Sequence, residues 1–136
     1  MTTKTNAAIG AIAIATLALI WLSSMPGTAE ACGLNGCITA ELAVDMEKGL
    51  SGRRSGTMLF AFGEEGEKRI WMKGMLYPLD IIWIDTNFTV TKIQQADLCA
   101  EECVIYEGNG KYVLEMEKGT AEKIGIKEGE KIEIRE

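Results

Sequence analysis

The residues best placed to do chemistry sit in one stretch, WMKGMLYPLDIIWID, residues 71 to 85. It sets Lys73, Asp80 and Asp85 among large apolar side chains, close to Trp71 and Trp83. An aromatic wall with a few polar groups suits a sugar or another small polar molecule. A lysine or carboxylate drawn out of water shifts its pKa towards neutrality and could move protons. Lys73, Asp80 and Asp85, with Trp71 and Trp83, are therefore the expected ligand pocket and the expected centre of any catalysis. The simpler alternative is structural. Lys73 and Asp80 would face each other across adjacent strands as a partly buried ion pair that fixes register.

Four cysteines, Cys32, Cys37, Cys99 and Cys103, offer a second chemistry. An even number in an exported chain implies disulfides. Local pairing, Cys32–Cys37 with Cys99–Cys103, would close two small loops. The two long-range pairings would tie the start of the domain to its later half, and spacing does not choose among the three. A four-thiolate metal site is disfavoured, because neither spacing is the usual two-residue knuckle. A redox pair is disfavoured for the same reason. Met72 and Met75, with Met58 and Met116, raise copper(I) handling. On a strand, positions 72 and 75 point to opposite faces, so core packing is the better reading. Asn87-Phe88-Thr89 is a glycosylation sequon in an expected turn. No metal and no cofactor is called for.

There is no histidine. This excludes serine–histidine and cysteine–histidine nucleophiles and histidine-ligated zinc or copper. Setting aside Lys4 and Glu30, 13 basic residues stand against 19 acidic ones in residues 32–136. Such a surface repels phosphates, so nucleic acid is not an expected partner.

These residues must be positioned by a domain that follows a different kind of segment. Residues 7 to 22, AAIGAIAIATLALIWL, form an uncharged run after Lys4. Met25-Pro26-Gly27 breaks it, and Ala29-Glu30-Ala31 supplies a small-x-small site before Cys32. That is the layout of a secretory signal, cut before Cys32. The rival is a retained hydrophobic helix, since the uncharged window is long enough to cross a bilayer. Lipidation of Cys32 fits less well, because Glu30 stands where a bulky aliphatic residue is usual. The expected organisation is residues 1–31 as signal peptide or membrane anchor and 32–136 as one β-rich domain outside the cytoplasm. Membrane contact is expected only through residues 5–25.

Within that domain, residues 38–44, 57–62, 68–74, 79–85, 88–95, 111–117 and 131–135 read as short strands. Pro78 marks a strand start, because it cannot donate to a ladder. Residues 45–54 could form a helical turn or two. Residues 119–125 form a short helix, with Thr120 as cap and Gly125 as stop. Gly63-Glu64-Glu65-Gly66-Glu67 and Gly108-Asn109-Gly110 read as turns. The expected class is α+β, mostly β: a small closed or half-closed barrel with one or two short helices.

The order of motifs resembles the domain of unknown function 192 family, small and often exported prokaryotic proteins. Gly49-Leu50 with Arg53, Met58-Leu59-Phe60 with Phe62, Trp71-Met72-Lys73 and Pro78-Leu79-Asp80-Ile81 carry the resemblance. Ile84-Asp85, Cys99 with Cys103, Tyr112-Val113-Leu114-Glu115, Gly119, Gly125-Ile126 and Gly129 extend it. Gly74 departs from it, standing where the family usually has asparagine. The resemblance implies a compact β-rich fold and brings no established activity. The chain is thus expected to be a binding or accessory module whose partner is a small molecule or a membrane-associated protein. An enzyme acting on a small or glycan substrate through Lys73, Asp80 and Asp85 is the alternative.

Overall fold

A computed structural model describes residues 27–47 and 49–136. The expected N-terminal hydrophobic helix lies outside the described residues. The seven strands are β1 (Thr28–Cys32), β2 (Cys37–Ala43), β3 (Met58–Trp71), β4 (Leu79–Ile84), β5 (Val90–Ala96), β6 (Ile105–Glu117) and β7 (Glu133–Arg135). One short helix, α1 (Thr120–Ile124), sits between β6 and β7. The strands form a single sheet in the order β5-β4-β6-β3-β2-β1-β7. Only β2 and β3 pair in parallel; every other neighbouring pair is antiparallel.

The sheet curls into a half-barrel. Its two edges meet at one corner, where Val90 N–H donates to the Glu130 carbonyl and Ile132 N–H to the Phe88 carbonyl. Inside the curl, Ala29, Ala31, Leu59, Ile82, Leu114 and Ile124 belong to one core. A second core lies on the outer face of β4, β6 and β3, with Leu50, Phe60, Ile81, Trp83 and Val113. This explains β4, LDIIWI, in which all six residues are buried. A strand covered on both faces has no reason to alternate.

The outer core is covered by the chain's own ribbon. β3 and β6 pair from Met58↔Glu115 out to Trp71↔Ile105, with a bulge between Ala61 and Gly66. Extra residues on one strand bend it and increase its twist. Past the bulge the ribbon folds back over the sheet, so that Gly108 lies against the Trp83 ring and Ile70 joins Phe60 and Leu79 in the core. The expected break at residues 63–67 is therefore a bulge inside one long strand. Gly108-Asn109-Gly110 is strand as well, and its glycines have a packing reason. A Cβ on Gly108 would stand 2.3 Å from the Trp83 ring, and one on Gly110 would stand 2.8 Å from the Ile84 carbonyl oxygen.

One further expectation changes. The described residues of 45–54 are turns, bends and irregular loop, not helix. Residues 31 and 32, on either side of the expected domain boundary, lie in β1, which pairs with both β2 and β7.

A cleft over a buried glutamate

Glu115 is the unexpected residue. β6 places it between Met58 of β3 and Ile81 of β4, on the face that carries Val113. Burial leaves it 5 % exposed. Among the described residues no side chain or backbone N–H donates a hydrogen bond to it, yet it lines an open cleft of about 670 Å³. Loss of water alone pushes its pKa up from 4.5 to about 7. The group is thus poised between a neutral acid and an anion at ordinary pH.

The cleft wall comes from three elements. The floor is Phe60, Leu79 and Glu115 of the sheet. One side is the folded-back ribbon, with Arg69, Ile70 and Trp71. The rims are the loops before β3 and before β4, with Leu50, Ser51, Lys73 and Met75. These loops are stitched together. Gly52 N–H donates to the Gly74 carbonyl at 2.9 Å, Ser51 Oγ to the Lys73 carbonyl at 3.2 Å, and Tyr77 Oη to the Gly56 carbonyl at 3.1 Å. Tyr77 has its pKa raised, first by burial and then by the charge of Glu115, which places the two groups in one electrostatic environment.

Gly74 has φ of +73°. Glycine and asparagine both tolerate that left-handed conformation, so the departure from the resemblance at this position is conformational. Its Cβ would meet Ser51 Oγ at 2.5 Å, which favours glycine here.

The five residues expected to share a pocket separate into different roles. Trp71, 57 % exposed, and Lys73 do line the cleft, with Lys73 Nζ 5.3 Å from the centre of the Trp71 ring. Lys73 makes no ion pair among the described residues. Asp80 is 1 % exposed and turned elsewhere. Its Oδ2 accepts the Gly119 N–H at 2.8 Å and the Ala121 N–H at 2.9 Å, and its Oδ1 the Gln95 side chain at 3.3 Å. The expected Lys73–Asp80 pair does not form, and Asp80 instead caps α1 from another strand. Thr120 makes no side-chain cap, while Gly125 ends the helix as expected. Asp85 holds its own turn, accepting the Asn87 and Thr89 N–H groups at 2.8 Å each. Trp83 is fully buried and donates to the Gln94 side chain at 3.0 Å. Asn87 is exposed in the turn that Asp85 holds.

The methionines do not converge. Met58, Met72 and Met75 belong to the outer core, and Met116 to the inner one across the sheet. The cysteines adopt the local pairing, Cys32–Cys37 and Cys99–Cys103, which leaves no free thiol. No cluster of acidic and cysteine side chains suited to a metal occurs among the described residues. Nor is any described helix long and apolar enough to cross a membrane.

Glu115 had a signal in the sequence. In YVLEME both flanking residues, Leu114 and Met116, and Val113 two positions before it are apolar, while Glu117 two positions after it is charged and exposed. The signal for burial is therefore one-sided.

The domain of unknown function 192 family, DUF192, described as an uncharacterized ACR family, matches residues 34–134. No curated protein matches the chain. Among solved structures, a candidate transcription regulator from Sinorhizobium meliloti 1021 is 32 % identical, with a TM-score of 0.66 over 78 % of this chain and 91 % of that one. A protein of unknown function from Novosphingobium aromaticivorans DSM 12444 is 29 % identical, with a TM-score of 0.66 over 79 % of this chain and 84 % of that one.

Proposed function

We propose that this chain, which belongs to the domain of unknown function 192 family, is a binding module that works outside the cytoplasm and takes a small hydroxylated, sugar-like molecule into the cleft above Glu115. The observation that carries this reading is a buried carboxyl group opening into a cleft beside an exposed indole. A carboxyl near its pKa can accept or donate a hydrogen bond to a hydroxyl. The exposed face of Trp71 offers an apolar platform for the C–H side of a sugar ring. Lys73 adds donors at the rim. The two disulfides, together with the N-terminal segment, support an oxidising compartment.

Binding is favoured over glycoside hydrolysis. That reaction ordinarily needs two carboxyl groups flanking the bond. Asp80 and Asp85 are engaged by backbone N–H groups away from the cleft, and the second carboxylate at its rim, Glu47, is exposed. A regulator that binds nucleic acid, the role suggested for the Sinorhizobium protein, is disfavoured for this chain by its net charge of −6.

The test is a titration of the full chain with hexoses, N-acetylhexosamines and their short oligomers, read by amide NMR shifts. Saturable shifts at Glu115, Trp71 and Lys73, lost in Glu115→Leu and Trp71→Ala, are expected. No saturable shift with any of these sugars would refute the sugar reading.

A further inference from the structure

The small-x-small site at Ala29-Glu30-Ala31 lies within β1, and this bears on how the chain is processed. β1 is not an edge. It pairs with β2 from Thr28↔Glu41 to Cys32↔Cys37, and with β7 from Glu30↔Arg135 to Cys32↔Glu133. Ala29 is 2 % exposed and Ala31 fully buried, both in the inner core. Ahead of the strand, the Gly27 carbonyl accepts the Leu42 N–H at 2.8 Å.

We propose that Thr28–Ala31 stay on the working protein, so that the bond between Ala31 and Cys32 is not its processing site and any cut lies before Thr28. Removal of leader segments accompanies translocation, before a domain has folded, so the fold could not shield this bond in time. What the fold constrains is the product of the cut. A chain starting at Cys32 would lack four of the five residues of β1. β7 would lose its only strand partner in the sheet, and β2 would become an edge with its ladder open. The inner core would be left without two of its small buried residues, Ala29 beside Ala40 and Ala31 beside Ile134. Lipidation of Cys32 is disfavoured on the same ground, and also because Cys32 is bonded to Cys37.

The consequence is that the N-terminal segment, if it stays in a membrane, holds the domain through a strand built into its sheet. The only cut compatible with a complete sheet falls ahead of the residues described above.

The experiment is the intact mass of the full-length gene product recovered from the organism that makes it, beside the melting of two point variants of the full chain. A mass that includes Thr28–Ala31 is expected. Ala31→Gln should lower the melting midpoint by at least roughly 10 °C, while Glu30→Gln, on the exposed face, stays near wild type. A folded, protease-resistant protein whose mass begins at any residue after Thr28 overturns the proposal. So does an Ala31→Gln protein that melts with wild type. If Ala31→Gln is too unstable to purify, the mass of the wild-type protein decides alone.

Discussion

Glu115 should make the stability of this protein fall as pH rises through neutrality, and the size of the effect follows from its burial. In the unfolded chain the side chain ionises near 4.5, while in the folded protein it holds its proton until about 7. Between these values the unfolded state has released the proton and the folded state has not. Unfolding is therefore progressively favoured across that window. The stabilisation is complete below the unfolded value and is lost as pH rises through the folded one. Each tenfold difference in proton affinity corresponds to about 1.4 kcal/mol, so the total is ~3 kcal/mol. Glu115→Gln keeps the shape and hydrogen-bonding capacity of the neutral acid and removes the ionisation. The variant should match wild type at acid pH and exceed it by ~3 kcal/mol above pH 7, with the difference growing through the window. For a urea dependence of about 2 kcal/mol/M, the two midpoints would separate by ~1.5 M. The measurement is urea unfolding of both proteins at a series of pH values. It is unusually clean here, because the chain has no histidine and its disulfides leave no free thiol to titrate in the same range. Two unfolding profiles that stay parallel at every pH would show that Glu115 is hydrated like a surface carboxylate, and the account of the cleft would fail with it.

Asp80→Ala should destabilise the protein by about 2 kcal/mol or more, because the Gly119 and Ala121 N–H groups lose their acceptor. Lys73→Met should stay within about 0.5 kcal/mol of wild type, and a double-mutant cycle between the two positions should give a coupling below about 0.3 kcal/mol; a larger value would restore the ion pair. Gly108→Ala should cost on the order of 2 kcal/mol, because the added methyl collides with the Trp83 ring; an unchanged thermal midpoint would mean that the ribbon does not lie over it. Reduction of the disulfides should remove about 2 kcal/mol per bond, as expected for such short loops, while leaving the far-ultraviolet circular dichroism of a sheet. Loss of that spectrum on reduction would show that the loops hold the fold rather than trim it.

What could be read from the sequence was governed by local signals. Strand positions such as 38–44 and 79–85 were legible because β-branched and aromatic residues sit between turn residues. The helix stop at Gly125 was legible because its left-handed conformation favours glycine. The strand β1, TAEAC, carries no comparable signal. Alanine has little strand preference, and its small size here is what lets neighbouring strands pack over it. The glycines at 108 and 110 misled for a related reason. Glycine marks a turn in isolation but marks close approach when a tryptophan ring or a strand backbone lies against it. For the site, proximity in sequence suggested that Lys73, Asp80 and Asp85 act together. Strand alternation and the turn after β4 direct them to three different surroundings, one of which, the acceptor role of Asp80 for α1, depends on a contact between residues far apart in the chain. Glu115 lies even farther from Trp71 in sequence, and the folded-back ribbon brings the two to one cleft.

The pairing of β1 with β7 also sets the order in which the domain can be finished. Glu30 stands opposite Arg135 in the β1–β7 ladder, so one of the first residues of the sheet waits for one of the last. A chain made N-terminus first therefore leaves one side of β1, beside the inner core, without its partner for nearly the whole of its synthesis. The long β3–β6 ribbon and β4 can assemble earlier, since their pairing needs nothing beyond β6. Folding dominated by such distant contacts is slow. An extra segment appended at the C-terminal side would meet the sheet at the step that completes it.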